Sequence, residues 1–327
     1  MRKRYRTITL ALASLLPLAS SFAADIKLVK AVSGHFELYT TDNEAAAKAA
    51  LTHFETVRGY LLKTTNSQDP FQNPVRIVGF KSLGEFSSYR PRNVESDKAF
   101  AVTNADRTTI VMAGLKKEFY EYGVLQYATL FLDRTASNLP FWLRLGLSQL
   151  YSTLSPENGQ ISIGSAPYRS YRAGSMPDLN MSVLMGLRSR DVAGDKQADS
   201  FYATNNSTSA SLAATKGMDT ISNALTQDFP LITFRLTHML MFKKEYAAKF
   251  GAFVSALSQG QDSAAAFGTV YGQSLTGVGQ DLALYFKLPS HAVVTIAFQL
   301  EKPVTPQVSQ LSPGDSAPIL AELKTAR

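Results

Sequence analysis

The chain has 327 residues, 45% of them hydrophobic and 18% charged, with a net charge of +7 and no cysteine. Without thiols it can form no disulfide, thiolate metal site or cysteine nucleophile, and no lipid can be attached through an N-terminal cysteine. Four of the 33 basic residues and none of the 26 acidic ones precede position 24, so the remainder carries only +3 and offers no electrostatic argument for nucleic-acid binding.

The first residues read as a secretory signal peptide over 1–23. Arg2, Lys3, Arg4 and Arg6 form a basic start, TITLALASLLPLA is a short apolar run, and Ser21-Phe22-Ala23 fits a cleavage site after Ala23 or Ala24. Removal would leave 304 residues, with a periplasmic or secreted location as the expectation. No later stretch is long and apolar enough to anchor the chain in a bilayer.

HFELYTT (35–41) alternates as a strand does. Thr41-Asp42-Asn43-Glu44 fits a capping box opening the helix AAAKAALTHFETVRGYLL. VRIVGF (75–80) reads as a buried strand, Ser82-Leu83-Gly84-Glu85 as a second capping box, and TTIVMA (108–113) as another strand. Residues 124–154 then read as two apolar helices joined by a turn at 134–138. GQISIG (159–164) suggests a short strand. The small, polar stretch at 189–217 suggests a loop-rich insertion. Helical segments follow at 229–242, 246–257, 262–272 and 274–287, the third with Asp262 as N-cap and Gly272 as C-cap. HAVVTIAFQL (291–300) alternates as a strand, and APILAELKTAR (317–327) reads as a last helix. The expected class is α+β, with helices on a small mixed sheet. The expected division is a signal peptide over 1–23, an α+β domain over 24–165, a loop-rich insertion over 166–220, a helical subdomain over 221–288 and a short β-strand/helix tail over 289–327.

Few residues offer chemistry. The four histidines, His35, His53, His238 and His291, show no metal-ligand spacing. His238 reads as a packing histidine, and His35 and His53 as structural or exposed. There is no G-x-S-x-G, and GVGQD (277–281) lacks the strand-turn-helix setting of a phosphate loop. Tyrosines within 118–127 and 168–171 read as core more readily than as a groove. The sequons at 205–208 and the pairs Lys116-Lys117 and Lys243-Lys244 carry no functional weight.

GHFELYTT, PVRIVGFKSLGEFSSYRP, DRTTIVMAG and above all LPFWLRLGLSQLYSTL occur in order, with weaker matches at LTHMLMF and DLALYF. In these motifs the chain, nearly end to end after the signal, resembles the bacterial peptidase-MA-like gluzincin domains, in which the last motif has a pattern like LPxWLNEGLAEFYST. The resemblance implies a zincin-like, thermolysin-type domain. In such an enzyme two histidines at i and i+4 and a glutamate on the next helix hold zinc, and a glutamate after the first histidine is the general base. Here the H-e-x-x-H positions, H-E-x-x-H in relatives, carry Leu125-Gln126-Tyr127-Ala128-Thr129, and the N-E-G of the second helix is Arg144-Leu145-Gly146. Leu125, Gln126, Thr129 and Leu145 therefore replace every ligand and the base, while Trp142, Gly146 and Tyr151 remain.

What this implies is a pseudopeptidase with no catalytic residue, metal or cofactor, kept as a binding or scaffold module for an extended peptide or an envelope protein. Leu125 and Leu145 are expected to meet in a dry former site, and the strand at 108–113 is the expected sheet edge for a bound peptide. The alternative is a hydrolase with a non-zinc mechanism that uses residues elsewhere. Relatives usually continue into helical repeats, whereas this chain stops at LAELKTAR.

Overall fold

A computed structural model describes residues 26–91, 98–103, 107–167, 181–187, 222–288 and 291–325. The signal-peptide segment, the tyrosines at 168–171, the sequons at 205–208 and nearly all of the expected insertion lie outside these residues.

Five strands and the helices between them come first: β1 (Val29–Val32), β2 (Phe36–Thr40), α1 (Glu44–Thr65), β3 (Val75–Gly79), α2 (Leu83–Ser87), β4 (Ala99–Thr103) and β5 (Thr108–Met112). The helical pair follows as α3 (Lys117–Thr135) and α4 (Phe141–Ser152), then the hairpin β6 (Ser155–Glu157) and β7 (Gln160–Ile163). Next come α5 (Met181–Gly186), α6 (Ser222–Phe242), α7 (Lys244–Ala247), α8 (Phe250–Ser258) and α9 (Ser263–Ala266). A π-helical turn (Phe267–Tyr271) leads on to α10 (Leu275–Phe286). The chain finishes with β8 (Val294–Ala297), β9 (Gln307–Gln310) and α11 (Pro313–Thr325).

The fold is α+β around a mixed six-stranded sheet in the order β4-β5-β3-β2-β1-β9. β2, β3 and β5 run parallel, while β4, β1 and β9 pair antiparallel with their neighbours. β3 and β5 are buried at every residue, and their β-branched composition reflects it, although Arg76, Thr108 and Thr109 are among the buried side chains. Alternate side chains serve two cores. Phe36, Leu38, Ile77, Ile110 and Met112 face the large core shared with α1, α3 and α4, and Tyr39, Val78, Val111 and Ala113 face a second core with α2 and α11.

The sheet is larger than expected because the segment set apart as a tail is built into it. Residues 307–310 hydrogen-bond to β1, and Leu320 and Leu323 of α11 lie in the second core. Leu28 N–H donates to Ser316 Oγ at 3.0 Å, and Arg76 Nη1 donates to Glu322 Oε2 at 2.6 Å. β8 instead extends the β6–β7 hairpin into a three-stranded antiparallel sheet.

Two local readings need correction. The N-cap of α1 is Asn43, whose side chain accepts from Ala46 N–H; Thr41 instead donates to Glu85 and accepts from Lys81 N–H, bridging to α2. The helical turn between α3 and α4 begins at Ala136, since α3 keeps its hydrogen bonds through Thr135. The box at Ser82 is realised in its forward half, with Ser82 Oγ accepting from Glu85 N–H. Asp262 and Ser274 cap α9 and α10, and Gly272 closes the π-helical turn at a φ of 71°.

Candidate functional site: the α3–α4 pair

α3 is covered on several sides by the sheet, α1 and α4, so its buried residues run almost round the helix instead of along one stripe. α4 is buried along nearly its whole length between α3 and α6. Arg144 near the start of α4 pairs with Asp133 near the end of α3, and Asn138 Nδ2 in the connecting turn donates to Ser258 O at 2.7 Å. Trp142 is fully buried, donates from Nε1 to Ser263 Oγ at 3.1 Å and lies against Phe253 and Phe267. It ties the pair to the helices that follow.

The four positions singled out are set within this pair. Leu145 is 0% exposed in the large core, Thr129 is 2% and Gln126 5% exposed, and Leu125 is only half-buried. The burial is thus unequal: Leu145 is a core residue and Leu125 lies nearer the surface. The expected dry site is also not wholly apolar. Gln126 Oε1 and, one turn beyond Leu145, Gln149 Nε2 are buried without hydrogen-bond partners. One is an acceptor and the other a donor, and each unpaired group costs on the order of 1–3 kcal/mol.

This donor set does not fit zinc. Leu125 and Leu145 have no lone pairs, Thr129 offers one neutral oxygen, and a carboxamide at 126 cannot take a proton from water. Among the described residues no group of three or more His, Cys, Asp or Glu side chains is placed to hold a metal ion.

The edge beside this pair is β4, not β5. β5 is flanked by β3 and β4 and is interior, whereas β4 ends the sheet. Lys98, just before β4, lies over the ring of Tyr122 at 5.0 Å and within 3.4 Å of its hydroxyl, so the edge starts against α3. Tyr122, Gln126 and Thr129 share a helical face at i, i+4 and i+7, which puts the unpaired Gln126 on the stripe that reaches β4. Because Ala113 N–H donates to Lys98 O, residues 98, 100 and 102 bond inward to β5 and Ala99, Ala101 and Thr103 turn their backbone groups away from it.

No protein-family model matches the chain, and no curated protein matches it.

The histidines separate into three settings. His238 is fully buried and satisfied: Tyr285 O–H donates to its Nδ1 at 2.7 Å, and its Nε2 faces the carbonyls of Gly164 and Ala292 at 3.0 Å. It is the packing histidine expected, although its ring also lies 5.5 Å from that of His291, a meeting no sequence spacing announced. His35 is paired through Nδ1 with Glu55 at 2.9 Å, and Glu55 also accepts from Ser33 Oγ at 2.6 Å. His53 lies on α1 against Tyr120, its Nε2 buried and unpaired. Burial, helped by Lys117, pushes the His53 imidazole down to about 3; burial, Arg235 and His238 push His291 down to about 4.

The sign of the pH effect follows. Below about 6.5 the unfolded chain takes up protons that the folded His53 refuses, so stability is full above that pH and falls as the solution is acidified. His53 alone is expected to cost about 1–2 kcal/mol between pH 7 and pH 5. Denaturant titrations at the two values check this: His53→Leu should shrink the difference by that amount, and an unaltered difference would show that His53 is not its source.

Proposed function

We propose that the chain is a zincin-like pseudopeptidase: a thermolysin-type α+β scaffold that holds no metal and binds an extended peptide, or an extended segment of an envelope protein, along β4. The placement is periplasmic or secreted, following the basic-apolar-small pattern of residues 1–23. The observation that carries the reading is that β4, the outermost strand of the sheet among the described residues, begins against the α3–α4 pair, whose four candidate positions cannot support zinc chemistry. Strand addition uses backbone groups and needs no metal.

The hydrolase alternative has one cluster in its favour, Ser33, His35 and Glu55. There Ser33 Oγ and His35 Nδ1 both point at the same carboxylate, so the imidazole is turned to Glu55 and not to the serine it would have to activate.

The test uses the purified protein in three measurements. Metal analysis should find no stoichiometric zinc, and a library of extended peptides should yield binders. Ala101→Pro should weaken that binding at least tenfold while leaving the unfolding midpoint within a few degrees, because it deletes an N–H aimed away from β5. Zinc at one per chain, lost together with peptidase activity on Leu125 substitution, would overturn the reading. So would peptide binding that Ala101→Pro leaves intact.

A further inference from the structure

On the opposite side of α3 from Leu125 and Thr129 there is a cavity of about 80 Å³. The β1–β2 turn (Gly34, His35), Arg58 of α1, Asp69, the segment 71–75 and Tyr127 of α3 line it. Tyr127 is two residues from Leu125 and from Thr129, about 200° round the helix from each, so this space is separate from the β4 side. The volume would hold several waters, or one organic molecule of a few heavy atoms.

Polar groups here are unevenly satisfied. Asp69 Oδ2 accepts from Arg58 Nε at 2.7 Å and Nη2 at 2.6 Å, and its Oδ1 accepts from Phe71 N–H at 2.9 Å. Glu55, behind the turn, accepts from Ser33 Oγ, His35 N–H and His35 Nδ1. These two carboxylates are therefore occupied by the protein itself. Tyr127 is different: it is 0% exposed, and its hydroxyl has no partner among the described residues. Burial, with Asp69 next in weight, raises its pKa, so the phenol stays a protonated donor. An orphan donor at this depth costs free energy that a ligand's acceptor would recover.

The surroundings narrow what that acceptor belongs to. Arg58 is matched by Asp69, and Glu55 and Arg134 are the other formal charges acting on the hydroxyl, one of each sign. The balance favours neither an anion nor a cation. Phe71 stacks on the Tyr127 ring at 5.5 Å and carries the Arg134 guanidinium 4.3 Å from its centre, so both neighbours hold the ring in place.

We propose that this cavity is a binding site for a small uncharged molecule of the amide type, whose carbonyl accepts a hydrogen bond from the Tyr127 hydroxyl. The proposal is independent of peptide binding at β4.

Acetamide is the probe, with acetate and methylammonium as charged analogues of similar size, titrated into the isotope-labelled full chain and followed by NMR. Acetamide should give saturable shifts at His35, Phe71 and Tyr127, with each ion at least tenfold weaker. Tyr127→Phe should lose about tenfold in acetamide affinity with an unfolding midpoint no lower than that of the parent, since it removes only an unsatisfied oxygen. If that variant does not fold, Gly34→Leu serves instead, because a Cβ added at Gly34 meets nothing within 4 Å, and a side chain there would obstruct the mouth and abolish the shifts. The proposal is overturned by absence of saturable binding, by acetate or methylammonium binding as tightly as acetamide, or by affinity unchanged in either variant.

Discussion

Leu145→Glu is expected to destabilise the protein by about 3–5 kcal/mol at pH 7, the range for an uncompensated charge left in a protein interior. The side chain is 0% exposed within the large core, so the new carboxylate would find hydrocarbon on most sides. Restoring the glutamate that zinc enzymes carry here would not restore a site, because Leu125 and Thr129 still cannot ligate. The penalty should also ease in acid, where the buried carboxyl is neutral. Leu145→Met, which keeps the volume, should cost under about 1.5 kcal/mol. Denaturant unfolding of the three proteins decides the matter, and equal midpoints for glutamate and methionine would refute the packing account.

Gly146→Ala, one residue on, is expected to cost roughly 2–3 kcal/mol for a different reason. A Cβ there would lie 2.1 Å from Thr237 Oγ1 and 2.5 Å from the Thr233 carbonyl oxygen of α6. A hydroxyl can be removed, but backbone cannot step aside without moving a helix. Combining Gly146→Ala with Thr237→Ala should therefore recover only part of the loss. Full recovery in the double variant would mean that the backbone approach is looser than these distances indicate.

Interior elements were the easiest to see in the amino-acid pattern. β3 and β5 are buried on both faces, so burial showed in their β-branched residues, with Arg76, Thr108 and Thr109 the polar exceptions. Edge strands left almost no such trace. β9 is Gln-Val-Ser-Gln, mostly exposed and held by backbone bonds to β1, and β4 is a five-residue run of which only the first two residues are buried. Missing β4 made β5 look like the rim of the sheet.

The candidate positions on α3 and α4 were singled out by motif resemblance, while the two helices that carry them were legible in the apolar pattern of 124–154. What no motif supplied was the company they keep. Gln149 without a partner, His35 joined to Glu55, and Tyr127 at a cavity wall all depend on segments brought together from far along the chain. Thr41 was misread for a similar reason: its hydroxyl serves Glu85, forty-four residues away, rather than its own helix.

The pairing of β1 with β9 has a bearing on how the molecule is made. Leu28 is bound to a residue 288 positions later, so during synthesis the sheet stays one strand short, and one face stays without α11, until the final segment has emerged. Tyr39, Val78 and Val111 must wait uncovered through that interval, the condition in which nascent chains are most prone to stick to one another or to be seized by chaperones.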